Sequence, residues 1–475
     1  MSAVFNAADV QGNIVRGYRM PLVRYLVLEV ADRAEARRWL AASVSDAGNN
    51  VPRITSEAPW GDAKPETCLN IGLTYPGLVA LGTPDATLNG FPTEFRQGMA
   101  ARAVKLGDVE KSAPENWPAP FDDSGRIHLI ATIYAREDAQ LDRVQRDALA
   151  GGKAFRLLGT RDGRSHRNDY VHFGYRDNLT QPRFKEIHDS DRYEDGQPKA
   201  PLGTVLLGYD TNFEGLRFQV PDPPETFGNN GSFNAFRVLA QDVAGFEAYL
   251  DKAADDLLRH PKVDEVLAPG AEESIGTGFS RHAALREVVA ANMCGRWRNG
   301  MPLALYPAPN PEVPPEMMTN FGYASHSRCP YGAHIRRANP RGGQIVQRVA
   351  NNSRRLIRRG MPYGPDFDPA QPDDPAKPIP ERGLLGNFIG ANLGAQFEAM
   401  STDWLNLGLQ DPRVTGSNDP LLGANDPETS WFDLPLKSGE PIRLRGLPRF
   451  VQTRGGAYTF LPSIPAIRYL GSLTN

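Results

Sequence analysis

Tyr25-Leu-Val-Leu-Glu-Val30 is a short, mostly apolar run with strand character, and the helix formers of Glu35 to Leu40 follow it. The same order returns at Ser232 to Leu239, where large side chains alternate with smaller or polar ones. Phe246, Tyr249 and Leu250 then recur at helical spacing, and Asp242 stands where the N-cap of that helix belongs. A third strand-then-helix unit runs through His128 to Tyr134 and Glu137 to Leu149. The recurrence predicts a duplicated α+β module, although strand-helix units also recur in α+β proteins without duplication. Asn212 to Asn230 carries Pro221, Pro223, Pro224 and a Gly-Asn-Asn-Gly run, which breaks regular structure and sets a junction near residue 225. The expected domains are therefore 1–225 and 226–475. Tyr306 to Pro315 and Pro365 to Pro380 are rich in proline and are expected as surface excursions.

Composition narrows the class. With 475 residues and 40% hydrophobic content, the chain can bury a sizeable core, and its net charge of -3 gives no global attraction to nucleic acid or an anionic membrane. One local basic cluster stands out, from Arg336 to Arg359. Cys68, Cys294 and Cys329 are odd in number and lack CxxC spacing, so neither a disulfide framework nor a zinc site is indicated, and a reducing compartment fits. The first residues lack the apolar core of a secretory signal. No apolar run reaches the roughly 20 residues that span a bilayer. The expected location is the cytoplasm, with no membrane and no nucleic-acid partner.

The histidines His128, His166, His172, His188, His260, His282, His326 and His334 form neither HxxxH nor HExxH spacing. His334 has a distinct setting, Cys329-Pro-Tyr-Gly-Ala-His334-Ile-Arg-Arg-Ala-Asn-Pro-Arg341. Small residues before it leave room for a flat macrocycle, and the arginines after it suit that group's carboxylates. The same residues also fit a surface histidine in a basic, nucleic-acid-like patch.

The segment CPYGAHIRRANPR resembles the proximal-haem motif of dye-decolourising peroxidases. His172-Phe-Gly174-Tyr-Arg-Asp177-Asn178-Leu-Thr-Gln181-Pro182 is similar to that family's GxxDG motif, and Arg354-Arg-Leu-Ile-Arg358-Arg-Gly-Met-Pro-Tyr363-Gly to its distal-arginine segment. Asp9-Val-Gln-Gly-Asn-Ile-Val-Arg-Gly and Arg454-Gly-Gly-Ala-Tyr-Thr-Phe-Leu-Pro-Ser463 also look like family segments, so the resemblance covers nearly the whole chain.

The resemblance implies two ferredoxin-like modules with antiparallel sheets and surrounding helices, the haem lying mainly in the second. It implies a peroxidase that reduces hydrogen peroxide and oxidises dyes, phenols or other aromatic donors through ferryl intermediates. The alternative is a non-catalytic haem-binding or haem-trafficking protein. One non-covalent haem b per chain is expected, because no CxxCH attachment motif exists. By the same resemblance His334 ligates the iron, Asp177 and Arg358 face the peroxide, Arg341 contacts a propionate, and Glu398 accepts the second N–H of His334. Leu385 and Phe388 are expected at the cofactor. Two departures stand out: Asn178 replaces the second glycine of GxxDG, and Gly386 stands where relatives often carry a bulky aromatic, leaving either an enlarged pocket or one that Phe388 fills. Tyr363 resembles a tyrosine implicated in electron transfer, while Trp297, Trp404 and Trp431 read more simply as core. The chain is expected as a monomer or homo-oligomer.

Overall fold

In β3 (Leu129–Ala135) every residue is buried, the mark of a strand covered on both faces. It lies between β1 (Leu22–Val30) and β2 (Thr67–Leu73), with β4 (Phe155–Arg164) beyond β1, in the order β4-β1-β3-β2 and antiparallel throughout. The second half supplies β5 (Ser232–Gln241), β6 (Ile357–Arg358), β7 (Met361–Tyr363) and β8 (Gly383–Gly390). A separate hairpin of β9 (Trp431–Leu434) and β10 (Ile442–Arg445) precedes β11 (Val451–Leu461). These strands run β11-β5-β8-β6, with β7 also on β8. Numbered within each half, both read 4-1-3-2, the ferredoxin-like order, so the repeated strand-helix units do mark two like modules. The computed structural model describes residues 5–46, 50–61, 64–166, 169–187, 199–212, 216–267, 280–309, 318–319, 321–323, 328–343, 354–367 and 377–474. Parts of both proline-rich stretches, residues 310–315 and 368–376, lie outside them, as do His188 and His326.

The two half-sheets meet where Phe460 of β11 pairs with Leu73 of β2, and β4 packs beside β7 at the other end. The sheet thereby curls on itself. Its enclosed face holds Tyr25 and Phe236, with ring centroids 4.8 Å apart, and Asn387, which donates from Nδ2 to the Tyr25 hydroxyl at 2.7 Å. Helices cover the outside. Helix α1 (Arg33–Ser43) starts on the Asp32 carboxylate, α2 (Asp138–Ala148) on a Glu137/Gln140 capping box, and α3 (Val243–Leu258) on Asp242, which accepts from Gly245 N at 2.8 Å. Helix α4 (Arg281–Cys294) packs on α3.

The region between β4 and β5 contributes no strand to the main sheet among the described residues. Its Phe173 ring lies 4.7 Å from Phe246 of α3, and the Tyr175 hydroxyl donates to Ala290 O of α4 at 2.7 Å. The Asp177 segment, placed in the first domain by its position before residue 225, thus packs on the core of the second module.

The first residues cross the seam between modules. Gln11 donates from Nε2 to Ile71 O of β2 and to Pro462 O just past β11, both at 2.9 Å, and its Oε1 accepts from Ile71 N at 2.8 Å. Arg359 donates to the carbonyls of Asn13 and Val15 at 3.1 and 2.7 Å. Nearby, Glu57 Oε1 accepts from Val15 N and Arg16 N at 2.6 and 2.7 Å, and burial pushes its carboxyl from 4.5 up to about 7. Folding therefore retains a proton that the unfolded chain releases. The resulting stability is full below the unfolded pKa and lost as pH rises through about 7. Glu57→Gln keeps the accepting Oε1 without the charge. It should match the parent in urea unfolding near pH 4 and exceed it by about 2–3 kcal/mol near pH 8; equal midpoints near pH 8 would refute this account.

Candidate active site

His334 opens the short helix α5 (His334–Ala338) after Gly332 and Ala333. Its Nδ1 lies 3.0 Å from Asp419 Oδ2, and Asp419 is wholly buried. The other oxygen of Asp419 accepts from Leu421 N and Leu422 N at 3.0 and 2.8 Å, which fixes the carboxylate. An Nδ1–H donated to a carboxylate leaves the lone pair on Nε2, the arrangement in which an imidazole ligates a metal. Burial disfavours the imidazolium, but the adjacent Asp419 charge outweighs it and raises the His334 pKa. Asp419 is held below the usual carboxylate range: burial opposes this, and His334 and Arg337 overcome it. His334 itself is half-buried, with 28% of its side chain exposed.

The arginines around His334 face inward. Arg336, Arg337 and Arg341 are 9%, 1% and 6% exposed, which removes the nucleic-acid-like surface reading. Arg337 donates to Gly332 O at 3.0 Å and Ser417 O at 2.9 Å, tying the loop before His334 to the segment that carries Asp419. Arg336 stacks over Tyr331 at 3.9 Å. Arg341 donates from Nη1 to Thr319 O at 2.6 Å and Phe321 O at 3.2 Å.

Asp177 and Arg358 are brought together, with Oδ1 3.9 Å from Nη1 and both side chains nearly half exposed. Arg358 donates from Nη2 to Thr180 O at 2.7 Å. Gln181 clasps the Arg358 peptide from both sides: its Oε1 accepts from Arg358 N at 3.1 Å and its Nε2 donates to Arg358 O at 2.8 Å. The turn after Asp177 requires a left-handed residue, and Asn178 takes it with φ 57°. The charges of Arg358 and Asp177 bias the protonation of His334 in opposite directions, Arg358 downward and Asp177 upward.

Arg358 pairs with Phe388 in the sheet, so these two side chains share a face, together with Leu384 and Gly386 by strand alternation. A Cβ on Gly386 would come within 2.6 Å of the Phe388 ring, so Phe388 fills the space beside the glycine. Leu385 lies on the opposite face from Arg358 and Phe388, wholly buried in the main core, which corrects its expected place beside them; the half-buried Leu384 shares their face instead. Glu398 is corrected too. Its buried carboxylate is held by Arg102, by Lys105 at 3.1 Å and by the Tyr458 hydroxyl at 3.0 Å, and His334 takes Asp419 instead. No sequence pattern marks Asp419 beyond an Asp-Pro turn.

Among the aromatics, Trp297 and Trp404 are core, and Tyr363 is half-buried with its hydroxyl donating to Glu381 at 3.0 Å.

The arrangement offers an imidazole nitrogen oriented by a carboxylate, and an acid-guanidinium pair whose charges act on that imidazole. Residues 9–153 match the family model "DyP dimeric alpha+beta barrel domain". The chain is 27% identical to a dye-decolorizing peroxidase of Exidia glandulosa, an alignment covering 97% of this chain and 86% of the relative. It is 28% identical to the multifunctional dye peroxidase DyP2 of an Amycolatopsis species, covering 97% and 95%. A solved dye-decolorizing peroxidase in complex with 2,6-dimethoxyphenol superposes with a TM-score of 0.80 at 27% identity, over 99% of this chain and 100% of that one.

Proposed function

We propose that the chain, similar over nearly its whole length to dye-decolourising peroxidases, is a haem peroxidase reducing hydrogen peroxide at the expense of dyes, phenols or related aromatic donors. The observation that supports this reading is the His334–Asp419 pair together with the Asp177–Arg358 pair, whose charges act on His334. A haem carrier would need the first pair and not the second.

A non-covalent haem b, one per chain, would be held by His334 through Nε2, with Leu384 and Phe388 beside it and Arg341, whose Nη1 already serves Thr319 O and Phe321 O, as the residue that would meet a propionate. That haem supplies an iron able to take two oxidising equivalents from peroxide and return them one electron at a time. Asp177 would accept a proton from bound peroxide and return it to the departing oxygen, which would leave as water. Arg358 donates to the departing oxygen as negative charge develops, a contribution of about 3–4 kcal/mol for one well-placed donor. Gln181 fixes the backbone from which that guanidinium projects. Its replacement by alanine should leave haem content intact while slowing the stopped-flow response to peroxide by up to about 10²-fold. Full-speed response in Gln181→Ala would remove the positioning role.

An ultraviolet-visible spectrum tests the main reading. A Soret band after haem supplementation, shifting when peroxide is added, is the expected result. No Soret band would remove the haem assignment, and a band indifferent to peroxide would make the protein a carrier. We further place the protein in the cytoplasm, a reading supported by the buried free thiols of Cys68, Cys294 and Cys329, which suit a reducing compartment.

A further inference from the structure

Trp60 stands half-buried on the first module, well removed in the chain from His334, Asp419, Asp177 and Arg358. On one side it walls a hollow of about 320 Å³ whose other lining residues are Arg19, Met20, Pro21, Lys64 and Arg136. Three of these six are cationic and none is acidic. Arg19, Lys64 and Arg136 are exposed, and none has an acidic partner among the described residues. The larger hollow on the other side of Trp60, about 790 Å³, differs in this respect: its Arg53 and Arg143 are already bridged to Asp46 and Glu66. Unpaired cations around an indole face select an aromatic molecule that carries an anion, the ring stacking on Trp60 and the carboxylate or sulfonate meeting the cations.

Behind Trp60 lies a file of oxidisable rings. Trp60 stacks on Tyr18 with centroids 5.8 Å apart and planes 21° from parallel, and Tyr18 meets Tyr134 edge-on at 5.1 Å. Tyr134, buried, is the diagonal neighbour of Tyr25 on one face of the β1–β3 ladder, where Val23 pairs with Tyr134 and Tyr25 with Thr132. Tyr25 in turn accepts from Asn387 of β8, the strand whose outer face carries Leu384, Gly386 and Phe388. Electron tunnelling weakens exponentially with gap, so a chain of neighbouring rings carries charge across a distance that one step cannot.

We propose that the hollow beside Trp60 binds an anionic aromatic reductant, and that Trp60, Tyr18, Tyr134 and Tyr25 conduct its electron to the haem face of β8. This rests on the peroxidase reading for its oxidant, which is hydrogen peroxide acting through the haem. Each phenolic donor loses one electron inward and its hydroxyl proton to the water of the open hollow, leaving a phenoxyl radical. Two such donors, with two protons, reduce one peroxide to two waters.

The probe is syringate, compared with 2,6-dimethoxyphenol, the same ring without the carboxylate. In the haem-loaded protein without peroxide, calorimetry should detect syringate binding that weakens about tenfold in an Arg19→Gln, Lys64→Gln, Arg136→Gln triple variant, each exposed charge contributing modestly. In turnover, the ratio of kcat/KM for syringate to that for dimethoxyphenol should fall by a similar factor, through KM. Tyr134→Phe should instead lower kcat for syringate and leave its binding unchanged. A nitroso spin trap added with peroxide should mark Trp60 by mass, and the mark should vanish in Trp60→Phe. Equal syringate binding by parent and triple variant overturns the site, and undiminished syringate kcat in Tyr134→Phe overturns the relay. If the protein proves unable to react with peroxide, the relay falls with the peroxidase reading, and the calorimetry still decides the site.

Discussion

His334→Ala is expected to abolish the iron–nitrogen bond and reduce the Soret absorbance of the haem-supplemented protein to that of loosely associated haem. The orientation of the His334 imidazole is fixed through Nδ1 on the wholly buried Asp419, which leaves Nε2 for the metal in the proposed site. Asp419→Asn keeps an acceptor for the His334 N–H but removes the charge that makes the imidazole a stronger donor. Haem affinity should fall about 10–100-fold, as for other partners of metal-bound histidines. Glu398→Gln should leave the spectrum unaltered, since that carboxylate serves Arg102, Lys105 and Tyr458. Normal haem binding in Asp419→Asn together with its loss in Glu398→Gln would reverse the assignment.

Arg358→Leu should retain the Soret band yet slow its response to peroxide by about 10²–10³-fold, the usual cost of deleting one donor at a developing oxyanion. Asp177→Asn should slow the same step by about 10²–10⁴-fold, because an amide cannot carry the proton between the two peroxide oxygens. The double variant should lose less than the product of the two, since the groups lie 3.9 Å apart and act on one bond. Undiminished response in Arg358→Leu would remove its role; a fully multiplicative loss would mean that the groups act independently.

Much of the fold is legible in local pattern. The apolar run at Tyr25 and the alternation at Ser232 became β1 and β5, and Asp242 caps its helix because a short acceptor just before an apolar-periodic stretch has few other uses. Candidate residues stand out where a motif keeps them close in sequence, as around His334, or preserves unusual backbone, as at Asn178. What escapes is pairing at long range. Asp419 meets His334 across 85 positions, and nothing local distinguishes it from other turn aspartates. Leu385 and Leu384 are interchangeable in a Leu-Leu-Gly run, where the neighbouring glycines hide the alternation that would assign faces; only the pairing of β8 with β5 settles the register. The Asp177 segment precedes the expected junction but joins the second core through Phe173 and Tyr175, because sequence order is not spatial order.

The grip of Gln181 on Arg358 has a meaning beyond chemistry. Strand β6 ends the sheet, and the N–H and C=O of Arg358 point away from β8. Such outward peptide groups are templates on which another chain can add a strand and begin aggregation. A glutamine amide is a peptide unit without a chain attached: it saturates both groups and offers no further residue to continue the ladder. The residue that steadies the distal arginine therefore also closes the sheet to strangers, and a variant chosen to loosen the first would be expected to expose the second.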